Sequence, residues 1–357
     1  MRTLHLIGSK TLGGAENWFF RFTSALSRTD HIEVIRGVRK GSELERVSPP
    51  SFPTYGLPFY TVWDPFSRAM VSRLVRELSP EIVQTYMGRA TRLTHIPRGR
   101  GVVHVARLGG YYKLHAYTHA HAWIGNTRGV CDYLIKGGFP PERVFYISNF
   151  VEIPQRPDRS TLVEIKRELS IPEHAFVLLC VGRFVPVKGH RDLLHAISLL
   201  AARRKVGEFV LIMVGDGPLR HTLERMAQEM GIDPFIRWAG WREDVSPFYE
   251  LAHLVVFPSH YEETLGNVIL EAWAHKRAVV CSRFKGALEM TSHEEDVFQV
   301  SCGDTKGLSQ AIEVCMRDDA LRERLGEEGF KKVCSHFNPA KIIEEYISLY
   351  EYLLLRG

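Results

Sequence analysis

The sequence predicts an α/β protein of two domains, each a mostly parallel sheet with helices on both faces. Short apolar runs of strand length alternate with amphipathic helical patterns in residues 1–153. The same alternation starts again after residues 154–173, a stretch that contains three prolines and a charged helical pattern. At 357 residues the chain is long enough for two domains of ordinary size.

The first series places six strands before the proline-containing stretch. They are predicted at residues 3–7, 33–38, 82–84, 102–106, 122–124 and 144–147. Helical spacing of Trp18, Phe22 and Leu26 indicates a helix after the first strand, and a second helix is predicted at 65–78. We therefore expect residues 1–153 to form a Rossmann-like domain, followed by a linker region at 154–173.

The second series predicts another Rossmann-like domain at residues 174–337. Its strands are predicted at 176–181, 209–214, 236–239, 254–257, 278–281 and 298–300. Helices are predicted at 190–202 and 219–230 and from Asp304 onward. Residues 338–357 begin with Asn338 as an N-cap and Pro339 at the first helical position, which predicts a C-terminal helix.

Composition favours a cytoplasmic globular protein. Apolar residues make up 45% of the chain and charged residues 24%, and no apolar run is long enough to span a bilayer. The start of the chain lacks the apolar core of a secretory signal. The six cysteines show no C-x-x-C motif and no regular spacing, so we expect reduced thiols.

Charge is distributed unevenly between the two predicted domains. Residues 1–153 hold 20 Lys and Arg against 11 Asp and Glu, whereas the remainder holds 26 against 30. A basic first domain suits an anionic partner, such as a phosphorylated acceptor or a membrane surface, although solvated arginines would give the same count. We do not expect nucleic acid as a partner, because the sequence contains no known nucleic-acid-binding motif and its second half is acidic.

Two glycine-bounded loops carry residue types that bind phosphate. The first strand runs into a turn containing Gly13-Gly14, which is neither a P-loop nor a G-x-G-x-x-G motif, so a plain tight turn remains an alternative. After the strand at 176–181, Arg183 and Lys188 lie on a loop bounded by glycines. A guanidinium fork and an ammonium there could bind one diphosphate and stabilise it as a leaving group.

The stretch from Glu263 to Glu271 combines two carboxylates with a predicted helix start near Gly266. Eight residues at helical rise place the carboxylates roughly 12 Å apart. The backbone N–H groups of a helix start bind phosphate. This order of carboxylate, anion site and carboxylate matches a sugar, diphosphate and ribose in length and chemistry, and the alternative is two solvated glutamates.

These motifs, taken in order, resemble family 4 glycosyltransferases, which are retaining, nucleotide-sugar-dependent enzymes of the GT-B fold. The resemblance rests on Gly182-Arg183 with Lys188-Gly189, on the Gly215-Asp216-Gly217-Pro218 turn and on Glu263-x7-Glu271. Gly13-Gly14 and Asn149-Phe150-Val151-Glu152 extend it over essentially the whole chain. It implies two domains facing a cleft, a C-terminal helix that packs on the first domain, acceptor binding by residues 1–153 and donor binding by 174–337.

The resemblance also implies residue roles. Arg183 and Lys188 would hold the donor diphosphate, and Glu263 would contact hydroxyls of the transferred sugar. The backbone of residues 265–267 would bind phosphates and Glu271 the ribose. The remaining implied donor contacts are Gly13, Gly14, Gly215 and Asp216, and the phosphate-binding backbone belongs to Leu265, Gly266 and Asn267.

Two departures from the family pattern bear on specificity. Glu263 is followed by Thr-Leu in place of the family's more usual Gly-Phe. The family often has a histidine after a Val-rich strand of the first domain. Here His104 would lie within that strand, and Arg107 and Tyr111 lie closer to the loop, so these three are possible donor-sugar or acceptor contacts.

The sequence implies no metal and no bound cofactor, and the donor would be a UDP-, GDP- or ADP-linked sugar. His115 and His119 have the i, i+4 spacing of a metal-binding face, but no Cys or carboxylate stands at a fitting position. Three alternatives stay open: a nucleotide-sugar epimerase of the same architecture, a phosphorylase of that architecture, or a non-catalytic module that binds a nucleotide sugar or glycan.

Overall fold

The chain divides into two compact units in the computed structural model, which describes residues 1–203 and 207–356. Unit 1 comprises Met1–Asn149 and the chain from Pro339 onward, and unit 2 comprises Phe150–Asn338. The division falls a few residues before the predicted end of the first domain at 153. The predicted linker at 154–173 lies within unit 2, and Gly357 lies outside the described residues.

Unit 1 is built on a seven-stranded sheet in which every described pairing is parallel. Its strands are β1 (Arg2–Ile7), β2 (Glu33–Arg39), β3 (Thr54–Leu57), β4 (Ile82–Tyr86), β5 (Val103–Leu108), β6 (Ala122–Gly125) and β7 (Val144–Tyr146). Its helices before the division are α1 (Gly14–Leu26), α2 (Glu43–Val47), α3 (Pro65–Leu78), α4 (Met87–Leu93) and α5 (Arg128–Lys136). The strand order is β3-β2-β1-β4-β5-β6-β7.

Unit 2 is built on a six-stranded parallel sheet. Its strands are β8 (Phe176–Val181), β9 (Phe209–Val214), β10 (Ile236–Gly240), β11 (Leu254–Phe257), β12 (Ala278–Ser282) and β13 (Phe298–Val300). Its helices are α6 (Arg159–Glu168), α7 (His190–Ala201), α8 (Arg220–Glu229), α9 (Ser246–Leu251), α10 (Asn267–Ala274), α11 (Lys285–Met290), α12 (Thr305–Arg317) and α13 (Asp319–His336). The strand order is β10-β9-β8-β11-β12-β13.

Each sheet has one point where the direction of strand succession reverses. In unit 1 this switch point lies between β1 and β4, and in unit 2 it lies between β8 and β11. Connections leave opposite faces of the sheet on the two sides of such a point, which opens a crevice outside the carboxyl ends of the strands. The fold therefore predicts where each unit binds its ligand.

Both faces of the unit 2 sheet are covered by helices. Along β8, Val177 and Leu179 belong to one apolar cluster, and Leu178 and Cys180 belong to a second cluster that includes residues of α7 and α12. A strand buried on both faces must be apolar at every position rather than at alternate ones. This is why the runs at 176–181 and 209–214 are continuous in the sequence.

The last helix of the chain, α14 (Pro339–Arg356), belongs to unit 1. Its buried face includes Tyr346 and Tyr350. The Tyr350 hydroxyl donates to Gln84 Oε1 on β4 at 2.7 Å, and Gln84 Nε2 donates to the Tyr86 hydroxyl at 2.6 Å. Hydrogen bonds inside the unit therefore connect the end of the chain to the central strands. No helix in the described part of the chain is long and apolar enough to cross a membrane.

Candidate active site

Lys188 and Glu263 meet at the switch point of unit 2. Lys188 follows β8 and Glu263 follows β11, and these two strands are neighbours in the sheet. Lys188 Nζ lies 2.7 Å from Glu263 Oε2, and the two side chains are 22% and 13% exposed. The Ser259 hydroxyl donates to the same carboxylate oxygen at 3.4 Å. A partly buried ion pair thus lies where the fold predicts a ligand, with part of each side chain open to solvent.

Gly189 allows the loop after β8 to pass the end of β11. Its φ is +66°, in the left-handed region, and a Cβ added there would lie 1.9 Å from the Pro258 carbonyl oxygen. The two loops are also joined by a hydrogen bond of 2.7 Å from the His260 N–H to the Val187 carbonyl. Any larger residue at 189 would separate the loops, so this glycine positions Lys188 beside Glu263.

The helix after Glu263 begins at Asn267, with Gly266 as its N-cap at a φ of +75°. A Cβ on Gly266 would lie 2.7 Å from Cζ of Phe284, and one on Gly286 would lie 1.5 Å from the Thr264 carbonyl oxygen. Two glycines therefore fix this loop against its neighbours. Among the described residues, the backbone N–H groups of Leu265 and Gly266 have no hydrogen-bond acceptor. This matches the predicted anion site at a helix start.

Glu271 lies one turn into α10 and is half-buried. The Tyr249 hydroxyl donates to Glu271 Oε2 at 3.0 Å, which fixes the carboxylate. The sequence did not predict a role for Tyr249, because nothing in the residues around it indicates a contact with Glu271, 22 positions later.

The other predicted donor-binding residues of unit 2 lie on loops after β8 and β9. Gly215 approaches Gly182 so closely that a Cβ on Gly215 would lie 2.1 Å from the Gly182 carbonyl oxygen. Asp216 Oδ1 accepts from the N–H of Gly217 at 2.6 Å, so this carboxylate stabilises its own turn. Arg183 is exposed, and no carboxylate of the described residues pairs with it. Its guanidinium is available for a ligand.

The predicted glycine turn of unit 1 forms the start of α1. Gly13 is the N-cap in extended conformation and Gly14 is the first helical residue. A Cβ on Gly14 would meet no atom within 4 Å. Packing within the protein therefore does not require glycine at this position.

His104 lies inside the protein, where it is fully buried on β5. Its Nε2 lies 3.0 Å from the Thr85 hydroxyl, and burial lowers its pKa well below the ordinary value, so the imidazole is neutral. The structure therefore does not place His104 among the surface residues of the site. His104 is buried because it lies within β5, as the sequence predicted, and both faces of this strand are covered.

Arg107 lies near the carboxyl end of β5 and is also buried. Its guanidinium donates to the Tyr346 hydroxyl at 3.1 Å and to the Asn149 carbonyl oxygen Oδ1, and it lies 4.7 Å from the centroid of the Trp18 ring system. These contacts fix the arginine within unit 1. Tyr111, in the following loop, is half-buried and packs edge-to-face on Tyr133.

His115 and His119, whose i, i+4 spacing would place them on one face of an α-helix, do not lie in an α-helix. His115 lies in a single turn of 3₁₀ helix, and His119 lies beyond it, stacked on His95 with ring centroids 4.0 Å apart. His119 Nε2 lies 2.7 Å from the Thr91 carbonyl oxygen. No group of three metal-ligating side chains suited to a metal ion occurs in the described ranges.

Comparison with known proteins decides the family. The family model described as glycosyl transferases group 1 matches residues 175–318, which include the whole of the site in unit 2. The lipopolysaccharide core biosynthesis glycosyltransferase LpsE of Rhizobium meliloti is 30% identical over 345 residues, covering 94% of this chain and 95% of that protein. This chain belongs to the group 1 glycosyltransferases.

Two further comparisons cover nearly the whole chain, one in sequence and one in fold. A second Rhizobium meliloti lipopolysaccharide core biosynthesis glycosyltransferase, LpsD, is 29% identical and covers 98% of both chains. The crystal structure of Anabaena HepE in complex with UDP-glucose has a TM-score of 0.83 at 20% identity, covering 98% of this chain and 99% of that one. The glycosyltransferase thus has the GT-B fold, as the motifs predicted.

Proposed function

We propose that this enzyme transfers a sugar, with retention of configuration, from a nucleotide-sugar donor to an anionic glycan or glycolipid in lipopolysaccharide or other cell-surface polysaccharide synthesis. The observation that carries the proposal is the Lys188–Glu263 pair at the switch point of unit 2. The cation would bind the diphosphate of a nucleotide sugar, and the adjacent carboxylate would accept hydrogen bonds from the hydroxyls of its neutral sugar.

The donor would lie along the loops after β8 and β11. One N–H of the Lys188 ammonium points to Glu263, and an ammonium has three donors, which leaves two for phosphate oxygens. The backbone amides of Leu265 and Gly266 supply further donors, and Glu271 would accept from the ribose hydroxyls. The complex of HepE with UDP-glucose supports a UDP-sugar among the three donor types.

Lys188 and Arg183 would stabilise the nucleoside diphosphate as the glycosidic bond breaks. Negative charge develops on the leaving phosphate in that step, and preorganised cations lower the barrier where charge develops. Glu263 would hold sugar hydroxyls and keep the Lys188 ammonium in place. Because protein cations neutralise the diphosphate in this scheme, we propose that transfer needs no metal ion.

The acceptor would bind to unit 1, because residues 1–153, nearly all of which belong to that unit, carry the excess of basic side chains. The names of LpsE and LpsD support a lipopolysaccharide core acceptor, and phosphate groups on it would complement the positive charge. We propose a cytoplasmic location with peripheral contact at the inner face of the membrane, through attraction to anionic lipids. The six free cysteines agree with a reducing compartment.

The experiment that tests this proposal is a donor screen followed by an acceptor screen. Purified enzyme with EDTA would be given UDP-, GDP- and ADP-sugars, and release of nucleoside diphosphate would be measured. Membrane glycolipid extract, untreated or treated with phosphatase, would then be added. We expect release from one donor, a strong increase with untreated acceptor, and a product whose anomeric configuration by NMR is that of the donor.

Three results would contradict separate parts of the proposal. Failure of every nucleotide sugar to bind would overturn the donor. Loss of turnover in EDTA would overturn metal independence. Equal activity with untreated and phosphatase-treated acceptor would overturn the anionic acceptor.

A further inference from the structure

A cavity lined by arginines lies at the edge of the unit 1 sheet where strands β5 and β7 begin. Its walls include Val102, just before β5, and Arg143, just before β7. Arg98, His121 and Arg356 complete its polar lining, and the cavity has a volume of about 100 Å³. Such a volume holds several water molecules, or one tetrahedral oxyanion.

The cavity concentrates positive charge. Its lining residues include three arginines and neither an aspartate nor a glutamate. Within the described ranges no carboxylate pairs with Arg98, Arg143 or Arg356, and the one hydrogen bond of these guanidinium groups is donated by Arg143 to the His121 carbonyl oxygen at 3.3 Å. Three unneutralised guanidinium groups around one cavity repel each other, and a bound anion would remove this repulsion.

His121 forms a neutral wall of the cavity. Its Nδ1 accepts from the His104 backbone N–H at 3.1 Å, so the proton resides on Nε2, which faces the Ile96 carbonyl oxygen at 2.9 Å. Burial, with the charges of Arg98 and Arg143, lowers its pKa. The imidazole therefore adds no charge of its own, and the arginines are the groups that would bind an anion.

The backbone beside the cavity is open to a ligand. Gly99 and Gly101 have φ values of +75° and +69°, and a Cβ on either would meet no atom within 4 Å. A groove of about 600 Å³ shares Gly101 and Val102 with the cavity. Val71, Val75 and Ile96 belong to the apolar part of its lining, and Arg76, Glu81 and Arg100 to the charged part. An anion in the cavity could thus carry an apolar group that lies in the groove.

We propose that this cavity binds a phosphate group, at a site separate from the nucleotide-sugar site of unit 2. Guanidinium forks match the oxygens of phosphate in geometry and charge. The phosphate could be inorganic phosphate or the headgroup of a lipid, and the adjoining groove distinguishes the two, since only a lipid phosphate has an apolar part to fill it.

The test is hydrogen–deuterium exchange of the full chain read by mass spectrometry, because it reports the two sites separately. The probes are inorganic phosphate and octyl phosphate, each compared with chloride at equal ionic strength. We expect protection of peptides covering residues 96–103 and 348–356, in addition to any effect at residues 260–274. The Arg98→Gln/Arg143→Gln variant should weaken binding at the first site by about tenfold or more and leave the second unchanged.

A matched control removes two charges elsewhere. Arg46→Gln/Arg225→Gln alters exposed arginines on α2 and α8 and should keep full protection of 96–103. Arg98→Gln alone, at an exposed position, guards against misfolding of the double variant. No protection of 96–103 by either probe, or equal loss in the control, would overturn the proposal. Tighter binding of octyl phosphate would identify a lipid source, and equal or weaker binding a small anion.

Discussion

Polar side chains serve different purposes in the two units of this enzyme. In unit 2, Lys188 and Glu263 form an ion pair that is partly open to solvent, on loops that glycines hold in place. In unit 1, Gln84, Arg107 and Tyr350 are buried: Tyr350 donates a hydrogen bond to Gln84. Arg107 donates one to the Tyr346 hydroxyl. The first arrangement leaves charge for a ligand, whereas the second consumes its hydrogen-bonding capacity inside the protein.

The comparison shows how burial separates a binding residue from a structural one. Arg107 is a cation held by the neutral oxygens of Asn149 and Tyr346, with no carboxylate partner among the described residues. Burial raises the pKa of Tyr346, so its hydroxyl keeps its proton. A buried polar group is tolerated when its partners satisfy it, and removing one partner is then costly. Variants in the two units should therefore fail in different measurements.

The largest effect is expected from the Lys188–Glu263 pair. Glu263→Gln and Lys188→Met should each lower kcat by about a hundredfold to a thousandfold, because the diphosphate loses its oriented cation. The unfolding free energy should change by no more than about 2 kcal/mol, since solvent still reaches both side chains. Steady-state kinetics with the donor found in the screen, together with urea unfolding, would measure both quantities.

The control for that pair is Glu328→Gln. Glu328 pairs with Lys331 on α13 at the same 2.7 Å distance, but both side chains are about half exposed or more. Its kcat should equal that of the unaltered enzyme. If Glu263→Gln were as active as this control, the pair would have no role in transfer.

The next largest effect is a difference in stability between alanine substitutions at two glycines. Gly189→Ala should lower the stability of unit 2 by about 3 kcal/mol, because its φ is +66° and the added Cβ meets Pro258. Gly14→Ala has room for the Cβ, and stability should stay level or rise by about 0.5 kcal/mol. Thermal unfolding would compare the two, and equal melting temperatures would contradict the assigned loop geometry.

Gly14→Ala also sharpens the interpretation of the glycine turn. The protein itself leaves space at Gly14, and the proposed close approach of the donor would use this space. We expect a raised KM with unaltered folding. A KM equal to that of the unaltered enzyme would make the turn a plain helix start.

Arg107→Met should destabilise unit 1 by about 2 kcal/mol, since Asn149 and Tyr346 would lose a charged donor. Hydrogen exchange of peptides from β4 and β5 would report the loss, and nucleotide binding to unit 2, measured by calorimetry, should be unchanged. Arg46→Met on exposed α2 is the matched control. Loss of nucleotide binding with intact exchange protection would instead make Arg107 a donor contact.

The last prediction concerns pH, and its effect on stability is small near neutral pH. Burial, with the charge of Arg36, lowers the pKa of His5 to about 3, and its ring nitrogens bond to Tyr86 and Thr3. The unfolded chain takes up a proton at His5 below about pH 6.5, whereas the folded chain does so only near pH 3. The contribution of neutral His5 to the free energy of unfolding is therefore fully present above pH 6.5. As pH falls below 6.5, the free energy of unfolding decreases by up to about 1.4 kcal/mol per pH unit.

His5→Gln should make the pH profile of the unfolding free energy shallower between about pH 6 and 4. His195→Gln, altered at an exposed position of α7, is the control. An unchanged slope in His5→Gln would mean that this imidazole gains its proton in the folded protein as readily as in the unfolded one.

Sequence reasoning reached unit 2 more fully than unit 1. The strands at 176–181, 209–214 and 254–257 were predicted with their observed bounds, because buried parallel strands are continuous apolar runs. Lys188 and Glu263 were each predicted as site residues on loops that follow such strands. Their direct ion pair depends on Gly189 and Pro258, and backbone approach of that kind has no sequence pattern.

In unit 1 the unpredicted features depend on long-range contacts or weak local signals. Strand β3 (Thr54–Leu57) was missed because it is short, lies at the edge of the sheet, follows Pro53 and contains Gly56. The contact of Tyr350 with Gln84 joins residues 266 positions apart. Neither residue indicates the other locally, which is why the buried network was not predicted.

The membership of α14 in unit 1 has a consequence for synthesis of the chain. Ribosomes add about 5–20 residues per second, so the stretch Phe150–Asn338 that precedes α14 takes on the order of 10–40 s to make. During that interval unit 1 has its sheet but lacks Tyr346 and Tyr350, and Arg107 and Gln84 lack these partners. Unit 2 can fold as soon as it emerges, whereas unit 1 gains these hydrogen-bond partners only when α14 is made. A nascent chain interrupted before α14 would leave Gln84 and Arg107 without them, and polar groups that lose their partners destabilise a folded unit.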